Sequence, residues 1–332
     1  MRIAIITTQL GGTGGAINCI AICNRFISAG HEVIVFSEQM PDSDIGGMLK
    51  VDVRSIKEVP VKIEADAGIA FNLTEGTKKA LYSVGGRKFA RLGIIVPEYQ
   101  DIMRENDIFK ITTTSYEKRY VDVYGRSDTS GVILGPVDTK NFYPENMTRS
   151  RNIVLTYIKK SGWVGISSIN QAQDFNKNLI FASLTDDGVD SAPIRSRYPI
   201  AILGCPAHLR SHMRYCYNRV GIFVDTHSNG LWGWNCTVGE AMLCKCPVVA
   251  TDSPVFADIV IPNETALTAP SNEAPETPNQ NWLTRPKPEK IAEQIIKLYD
   301  NQKLATTLAE NAYELVSKFN INYWYSEFMR LM

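Results

Sequence analysis

The feature that most constrains the fold is the alternation of short apolar runs with longer segments of helical periodicity. At the start of the chain, Arg2–Thr7 predicts a buried strand, residues 11–15 predict a glycine-rich loop, and residues 16–29 predict a helix. Gly30 follows where a helix C-cap favours glycine, and residues 33–36 predict the next strand. Strands that alternate with helices indicate a parallel sheet covered by helices.

The same alternation occurs twice along the chain, which indicates two domains. The chain has 332 residues, too many for one ordinary core and suitable for two α/β domains of about 150 residues each. A polar stretch from Gly135 to Arg151 interrupts the pattern and is interpreted as the crossing between the domains. Further strands are predicted over 67–72, 93–96, 110–114, 131–134, 153–158, 178–183, 200–204, 221–225, 247–251 and 258–261, and the last helices over 288–300, 302–319 and 322–331.

Charge and composition exclude several classes of protein. Lys and Arg number 35 and Asp and Glu number 35, so the chain lacks the net positive charge of a bulk nucleic-acid binder. We see no secretory signal and no run of 18 apolar residues, so we expect a cytoplasmic protein with at most peripheral membrane contact. Seven cysteines in mostly apolar settings indicate reduced thiols, and Cys244 and Cys246 are interpreted as buried thiols rather than metal ligands.

Two segments have the composition of a ligand site. Gly14 and Gly15 precede the first predicted helix, where glycine permits close approach of an anion to helix N–H groups; a simple tight turn is the alternative. Glu240 lies in the first turns of a predicted helix that follows a glycine- and tryptophan-rich loop at a strand's carboxyl end. A carboxylate there can accept hydrogen bonds from ligand hydroxyls, or it can simply stabilise the helix dipole.

Several motifs, in order along the whole chain, resemble those of a known family. They are Gly30-His31-Glu32-Val33, then Gly135-Pro136-Val137-Asp138-Thr139 with Phe142 and Pro144, then Trp232-Gly233-Trp234-Asn235, Glu240-Ala241-Met242, and Pro247 to Asp252. In this order and spacing the chain resembles the retaining GT-B glycosyltransferases of family four, the glycosyl transferases of group 1. The resemblance implies an α/β fold of two doubly wound Rossmann-like domains that face each other across a cleft.

The resemblance also implies the limits and roles of the domains. Residues 1–145 are expected to form an acceptor-side domain and residues 146–318 a nucleotide-sugar-binding domain. A C-terminal helix over 319–332 is expected to pack back on the first domain.

The resemblance assigns roles to individual residues of the donor site. Glu240 corresponds to the second Glu of the family's E-x7-E motif, which binds the donor ribose, and Asn235, Cys236 and Thr237 are expected beside it. Gly14 and Gly15 would approach the donor diphosphate. Lys159 and Lys160, which follow the first strand of the second domain, would neutralise that diphosphate; two solvated surface lysines are the alternative.

One position departs from the family pattern. The first Glu of E-x7-E, which contacts the transferred sugar, is replaced by Trp232. We therefore expect a deoxygenated donor sugar, or Asn229 or Asn235 in place of the missing carboxylate; a Trp232 that points away from the site is the alternative. Glu98 is the nearest candidate for a catalytic polar group in the first domain, against the alternative of a surface Glu.

The activity implied is transfer of a sugar, with retention, from a UDP- or GDP-sugar to a glycan or small-molecule hydroxyl, as in glycan biosynthesis. We expect no metal or other cofactor, because no Asp-x-Asp run stands where a metal-dependent enzyme needs one. Two alternatives use the same donor site: a nucleotide-sugar epimerase or hydrolase, and a catalytically inactive nucleotide-sugar-binding protein.

Overall fold

The computed structural model describes ten stretches of the chain, and these divide between two compact units. The first unit comprises Met1–Pro136 and Ile321–Met332, and the second comprises Val137–Gly230 and Asn235–Asn320. The described stretches are 1–10, 14–41, 48–92, 100–125, 129–185, 198–204, 209–226, 236–253, 256–270 and 286–332.

The described strands of the first unit form a seven-stranded parallel sheet in the order β3-β2-β1-β4-β5-β6-β7. They are β1 Arg2–Thr7, β2 Glu32–Ser37, β3 Val53–Ser55, β4 Ala67–Phe71, β5 Arg87–Leu92, β6 Ile108–Thr112 and β7 Ser130–Val132. β1 is the central switch strand, because it pairs with β2 on one side and with β4 on the other. That order is typical of a doubly wound α/β domain.

The described strands of the second unit form a six-stranded parallel sheet in the order β10-β9-β8-β11-β12-β13. They are β8 Ser150–Tyr157, β9 Ile180–Thr185, β10 Ile200–Gly204, β11 Val220–Asp225, β12 Val248–Asp252 and β13 Leu267–Pro270. The central strand β8 pairs with β9 and with β11, so this unit has the same doubly wound arrangement. The α/β class predicted from the alternating pattern is therefore confirmed.

Ten α-helices occur within the described residues. They are α1 Gly14–Ser28, α2 Glu75–Tyr82, α3 Gln100–Arg104, α4 Ser115–Gly125, α5 Ile158–Phe175, α6 Arg210–Arg219, α7 Cys236–Leu243, α8 Pro288–Asp300, α9 Gln302–Val316 and α10 Ile321–Leu331. The first helix ends as predicted, since Gly30 has a left-handed φ of 82° and its N–H bonds to the carbonyl of Ile27. None of these helices is long and apolar enough to cross a membrane.

The last helix packs on the first unit, although it follows the second unit in sequence. Trp324 and Phe328 are almost fully buried and stack with their ring centroids 5.5 Å apart. Both rings contact Phe26 of α1 edge-on, and Arg25 Nε donates to Asn322 Oδ1 at 2.8 Å. The hydrophobic face of α10 is thus buried against the core that includes α1 and the first sheet.

The first unit ends earlier than the expected boundary at residue 145. The structure places residues 137–145 in the second unit, because their polar groups bond to α6. Arg214 Nε donates to Glu145 Oε1 at 2.7 Å, and the backbone N–H of Glu145 donates to Asn218 Oδ1 at 2.8 Å. The polar stretch after Pro136 is therefore part of the second unit.

One strand prediction is wrong, and another lies outside the described residues. Residues 258–261 form a turn rather than a strand, since Thr265 Oγ1 accepts from the N–H of Ile261 and donates to the carbonyl of Ile259. The strand that pairs with β12 is β13, a few residues later. The fifth strand of the chain is β5, at Arg87–Leu92, and the predicted strand over 93–96 lies outside the described residues.

Candidate functional site

The candidate site is built around α7, which follows β11 at the carboxyl edge of the second sheet. In parallel α/β sheets this edge is where ligands bind. From Thr237 to Leu243 every residue of α7 is buried, and Glu240 has only 2% of its surface exposed. A carboxylate with so little solvent contact needs charged or polar partners in the protein.

The main partner of Glu240 is Arg210, the first residue of α6. Arg210 Nη2 lies 2.8 Å from Glu240 Oε1. The same guanidinium is 3.3 Å from Asp138 Oδ2 through both Nε and Nη2. One buried cation therefore joins two carboxylates that come from the polar crossing stretch and from α7.

The guanidinium of Arg210 is also fixed by an aromatic ring. It lies 4.5 Å from the ring centroid of Phe142, in cation–π geometry. Burial by itself would lower the pKa of Arg210, but the charges of Glu240 and Asp138 outweigh burial and raise this pKa above its ordinary value. Arg210 is thus a permanent cation at this position.

A glycine lets α7 approach the start of the second unit. A Cβ placed on Gly239 would lie 2.8 Å from Val137 Cγ1, closer than a real side chain tolerates. Val137 is in turn held by its N–H, which donates to the carbonyl of Phe319 at 2.8 Å. The segment that carries Asp138 is therefore packed directly against the helix that carries Glu240.

The remaining predicted donor residues of α7 are close to the sheet edge. Thr237 Oγ1 lies 3.4 Å from Asp225 Oδ2, at the last residue of β11, and both residues are buried. Cys236 is the first residue of α7 and is half-buried. Asn235 and Trp232 lie outside the described residues. Of the predicted set, the structure thus brings Cys236, Thr237 and Glu240 together on one helix.

The predicted phosphate-binding residues lie at the beginnings of two helices. Lys159 and Lys160 are the second and third residues of α5, which follows β8 directly; their side chains are outside what the structure describes. Gly14 and Gly15 are the first two residues of α1 rather than loop residues, so that helix begins two residues earlier than predicted. Glu98 falls outside the described stretches.

Two buried thiols lie beside α7. Cys244 and Cys246 are fully buried; burial raises the pKa of both, that of Cys246 to about 11. Within the described ranges no three His, Cys, Asp or Glu side chains come together as ion ligands.

Another buried carboxylate, Glu117, occurs in the first unit, at the start of α4. Glu117 Oε2 accepts from the N–H and hydroxyl of Thr113 at 2.7 and 2.8 Å, and from the N–H of Thr114 at 3.0 Å. Thr114 Oγ1 accepts from the N–H of Glu117, which completes a capping box. Burial raises the pKa of Glu117 to about 7, although these hydrogen bonds and the charge of Arg91 act to lower it.

Glu117 should make the stability of the chain depend on pH. Its folded-state pKa of about 7 is above the ordinary value, so its contribution is fully present below the unfolded pKa and is lost as pH rises through about 7. The expected loss is about 3 kcal/mol, measured as unfolding free energy between pH 4.5 and 8. Glu117→Gln should flatten this dependence, whereas the exposed-site control Glu314→Gln should retain it; parallel curves for native and Glu117→Gln would contradict the assignment.

Comparison with known proteins matches part of the second unit to a family model. Residues 210–315 match the family model described as Glycosyl transferases group 1. The matched segment begins at Arg210 and includes Glu240, so both members of the buried ion pair lie inside it. No curated protein matches the chain in sequence.

Several solved structures share the fold over nearly their whole length. A glycosyltransferase from Rickettsia africae has a TM-score of 0.74 at 15% identity, covering 99% of this chain and 97% of that one. Anabaena Alr3699/HepE, solved with UDP-glucose, has a TM-score of 0.78 at 14% identity, covering 100% and 99%. A variant of S. aureus TarM, solved with Fondaparinux, alpha-GlcNAc-glycerol and UDP, has a TM-score of 0.76 at 11% identity, covering 99% of each.

The fold and the matched segment together define the class of protein. The chain has the GT-B fold, in which two Rossmann-like α/β domains follow one another, and the findings indicate a glycosyltransferase enzyme. The family matched by its second unit is that of the glycosyl transferases of group 1.

Proposed function

We propose that the chain transfers a sugar from a UDP- or GDP-sugar to a hydroxyl acceptor, with retention of anomeric configuration. The observation that carries the proposal is Glu240, a buried carboxylate on α7 at the carboxyl edge of the second sheet, inside the family-matched segment. Proteins of similar fold that were solved with UDP or UDP-glucose support a nucleoside diphosphate as the donor group.

In the proposed mechanism, the second unit binds the nucleoside diphosphate and stabilises it as it leaves. Glu240 accepts hydrogen bonds from the ribose hydroxyls. Lys159 and Lys160, with the N–H groups at the start of α5, stabilise the negative charge that grows on the diphosphate as its bond to the anomeric carbon breaks. The acceptor hydroxyl, of a glycan or a small molecule, then forms the new bond on the face that the diphosphate leaves, and its proton passes to the departing phosphate oxygen. No step requires a metal ion.

Replacing Glu240 by glutamine should weaken binding of the nucleoside diphosphate by about 1–3 kcal/mol, because the ribose hydroxyls lose a charged acceptor. Binding can be measured by calorimetry with UDP and GDP. Glu145→Gln is a matched control, since Glu145 also pairs with an arginine of α6, Arg214, but is not assigned to the donor site. Unchanged affinity in Glu240→Gln would remove Glu240 from the donor site.

Trp232 leads us to propose a deoxygenated donor sugar. An indole offers one donor and an apolar face, so a hydroxyl against it loses about 1–3 kcal/mol, whereas a buried methyl gains about 0.8 kcal/mol. The measurement is the ratio of kcat/KM for matched hexose and deoxyhexose donors. The native chain should favour the deoxyhexose, and Trp232→Glu should reverse the preference; a native preference for the hexose, unchanged in the variant, would exclude this role.

Trp232 also favours one second candidate function, a nucleotide-sugar-binding protein without catalysis, because it replaces the Glu that contacts the transferred sugar in the family. That protein would bind donor without turning it over. Turnover of the donor in the absence of any acceptor would instead indicate an epimerase or hydrolase that uses the same site.

A further inference from the structure

We propose that Arg210 is a positioning residue that orients the carboxylate of Glu240 for the donor ribose, an inference that rests on the proposed function. Arg210 would not touch the sugar or the diphosphate itself. It would act by holding one oxygen of Glu240, so that the carboxylate meets the ribose hydroxyls in a fixed orientation.

The contacts around the guanidinium of Arg210 hold it in a fixed position, unlike a mobile surface charge. The contact between Arg210 Nη2 and Glu240 Oε1 is 2.8 Å, and both side chains are buried. The guanidinium is held from other directions by two contacts of 3.3 Å to Asp138 Oδ2 and by the ring of Phe142. A planar guanidinium fixed in this way presents its N–H groups in defined directions, which an ammonium group cannot do.

Asp138, which holds the guanidinium of Arg210, is itself held by hydrogen bonds. Asp138 accepts from the backbone N–H of Asn141 at 3.1 Å and from Asn141 Nδ2 at 2.8 Å. Val137, the residue before it, packs against Gly239, the residue before Glu240. Asp138, Arg210 and Glu240 therefore form one connected unit, which sets the position of the Glu240 carboxylate.

Preorganisation of this kind matters for recognition of a diol. A carboxylate that is already oriented does not lose rotational freedom when the ribose binds, so its hydrogen bonds contribute more to affinity. Removing the arginine should therefore reduce the part of the affinity that comes from the ribose hydroxyls, and should leave the parts from the base and the diphosphate largely intact. If the ion pair had only a structural role, its removal would not reduce the ribose contribution to affinity selectively.

The experiment compares each nucleoside diphosphate with its 2′,3′-dideoxy analogue, using UDP and GDP with the native chain and with Arg210→Lys and Arg210→Gln. The readout is the ratio of the two Kd values, dideoxy over ribose form. Arg214→Lys and Arg214→Gln are matched controls, because Arg214 lies one turn further along α6, pairs with Glu145 at 2.7 Å and stacks on Tyr143 at 4.3 Å.

In the native chain and the Arg214 variants we expect a ratio of about 10 to 100, the size of hydrogen bonds to a charged acceptor. In Arg210→Lys, which keeps the charge and is the milder change for folding, we expect the ratio to fall to about 5 or below. The affinity for the dideoxy form should remain within about threefold of the native value, and Arg210→Gln should behave like Arg210→Lys.

The possible outcomes distinguish failure of the positioning role of Arg210 from failure of the proposed function. A ratio in Arg210→Lys equal to the native ratio would overturn the positioning role while leaving the donor site in place. A larger ratio would also overturn it, since Arg210 would then compete with the ribose for Glu240. Failure of the native chain to bind any of these nucleotides would overturn the proposed function and, with it, this inference.

Discussion

Replacing both Lys159 and Lys160 by alanine is expected to reduce the rate of sugar transfer by about 100-fold or more, with little change in melting temperature. The two lysines occupy the first turn of α5, directly after the central strand β8. Cations there, with the positive end of an 18-residue helix, would stabilise the charge that develops on the leaving diphosphate. Because the two charges are proposed to act on the leaving diphosphate, the loss should lie in kcat rather than in stability.

A matched pair of lysines provides the control for this result. Lys287 and Lys290 lie at the beginning of α8, another helix of the second unit, and Lys290 pairs with Glu293. Their double alanine variant should retain the native transfer rate. If both double variants keep full activity, the diphosphate is neutralised by other groups and the assignment of Lys159 and Lys160 is wrong.

Replacing Arg210 by alanine is expected to destabilise the second unit by about 3–5 kcal/mol, because it leaves the carboxylates of Glu240 and Asp138 without their shared cation. For a unit of this size the melting temperature should fall by about 10 °C. Part of the loss should be recovered in the double variant Arg210→Ala with Glu240→Gln, since the uncompensated buried charge is then removed.

Arg214→Ala provides the comparison within the same helix. The side chains of Arg214 and Glu145 are 19% and 24% exposed, against 9% and 3% for Arg210 and Glu240, so solvent can replace the lost partner more easily. We expect a loss of about 1 kcal/mol there. Equal losses of unfolding free energy in the two alanine variants, measured by denaturant unfolding, would show that the contacts of Arg210 contribute no more to stability than those of Arg214.

Sequence reasoning succeeded where hydrophobic pattern and turn chemistry agree. Arg2–Thr7 and residues 200–204 were predicted with the bounds that β1 and β10 have, and Gly30 ends α1 as its position indicated. It failed over 258–261, where Ile259 and Val260 are buried without entering the sheet. Burial alone does not determine pairing, because the hydroxyl of Thr265 satisfies the backbone groups of that turn instead.

The site shows the same division between local pattern and tertiary structure. Glu240 was predicted because its motif stands at a recognisable distance from the strands around it. The pairing of Glu240 with Arg210 was not predicted, because in sequence Arg210 looks like an ordinary polar residue at the start of an amphipathic helix. Asp138 likewise read as part of a crossing between domains. The contacts among them arise only when β11 and α7 bring α6 and the crossing segment together.

The most direct test of the proposed sugar transfer is release of nucleoside diphosphate from a panel of UDP- and GDP-sugars incubated with the native chain, with and without hydroxyl acceptors. We expect release from at least one donor, faster with an acceptor and matched by an equal amount of transferred sugar. We also expect Glu240→Gln and the Lys159 and Lys160 double alanine variant to lower this release. No release from any donor, or release that both variants leave unchanged, would contradict the proposed transfer.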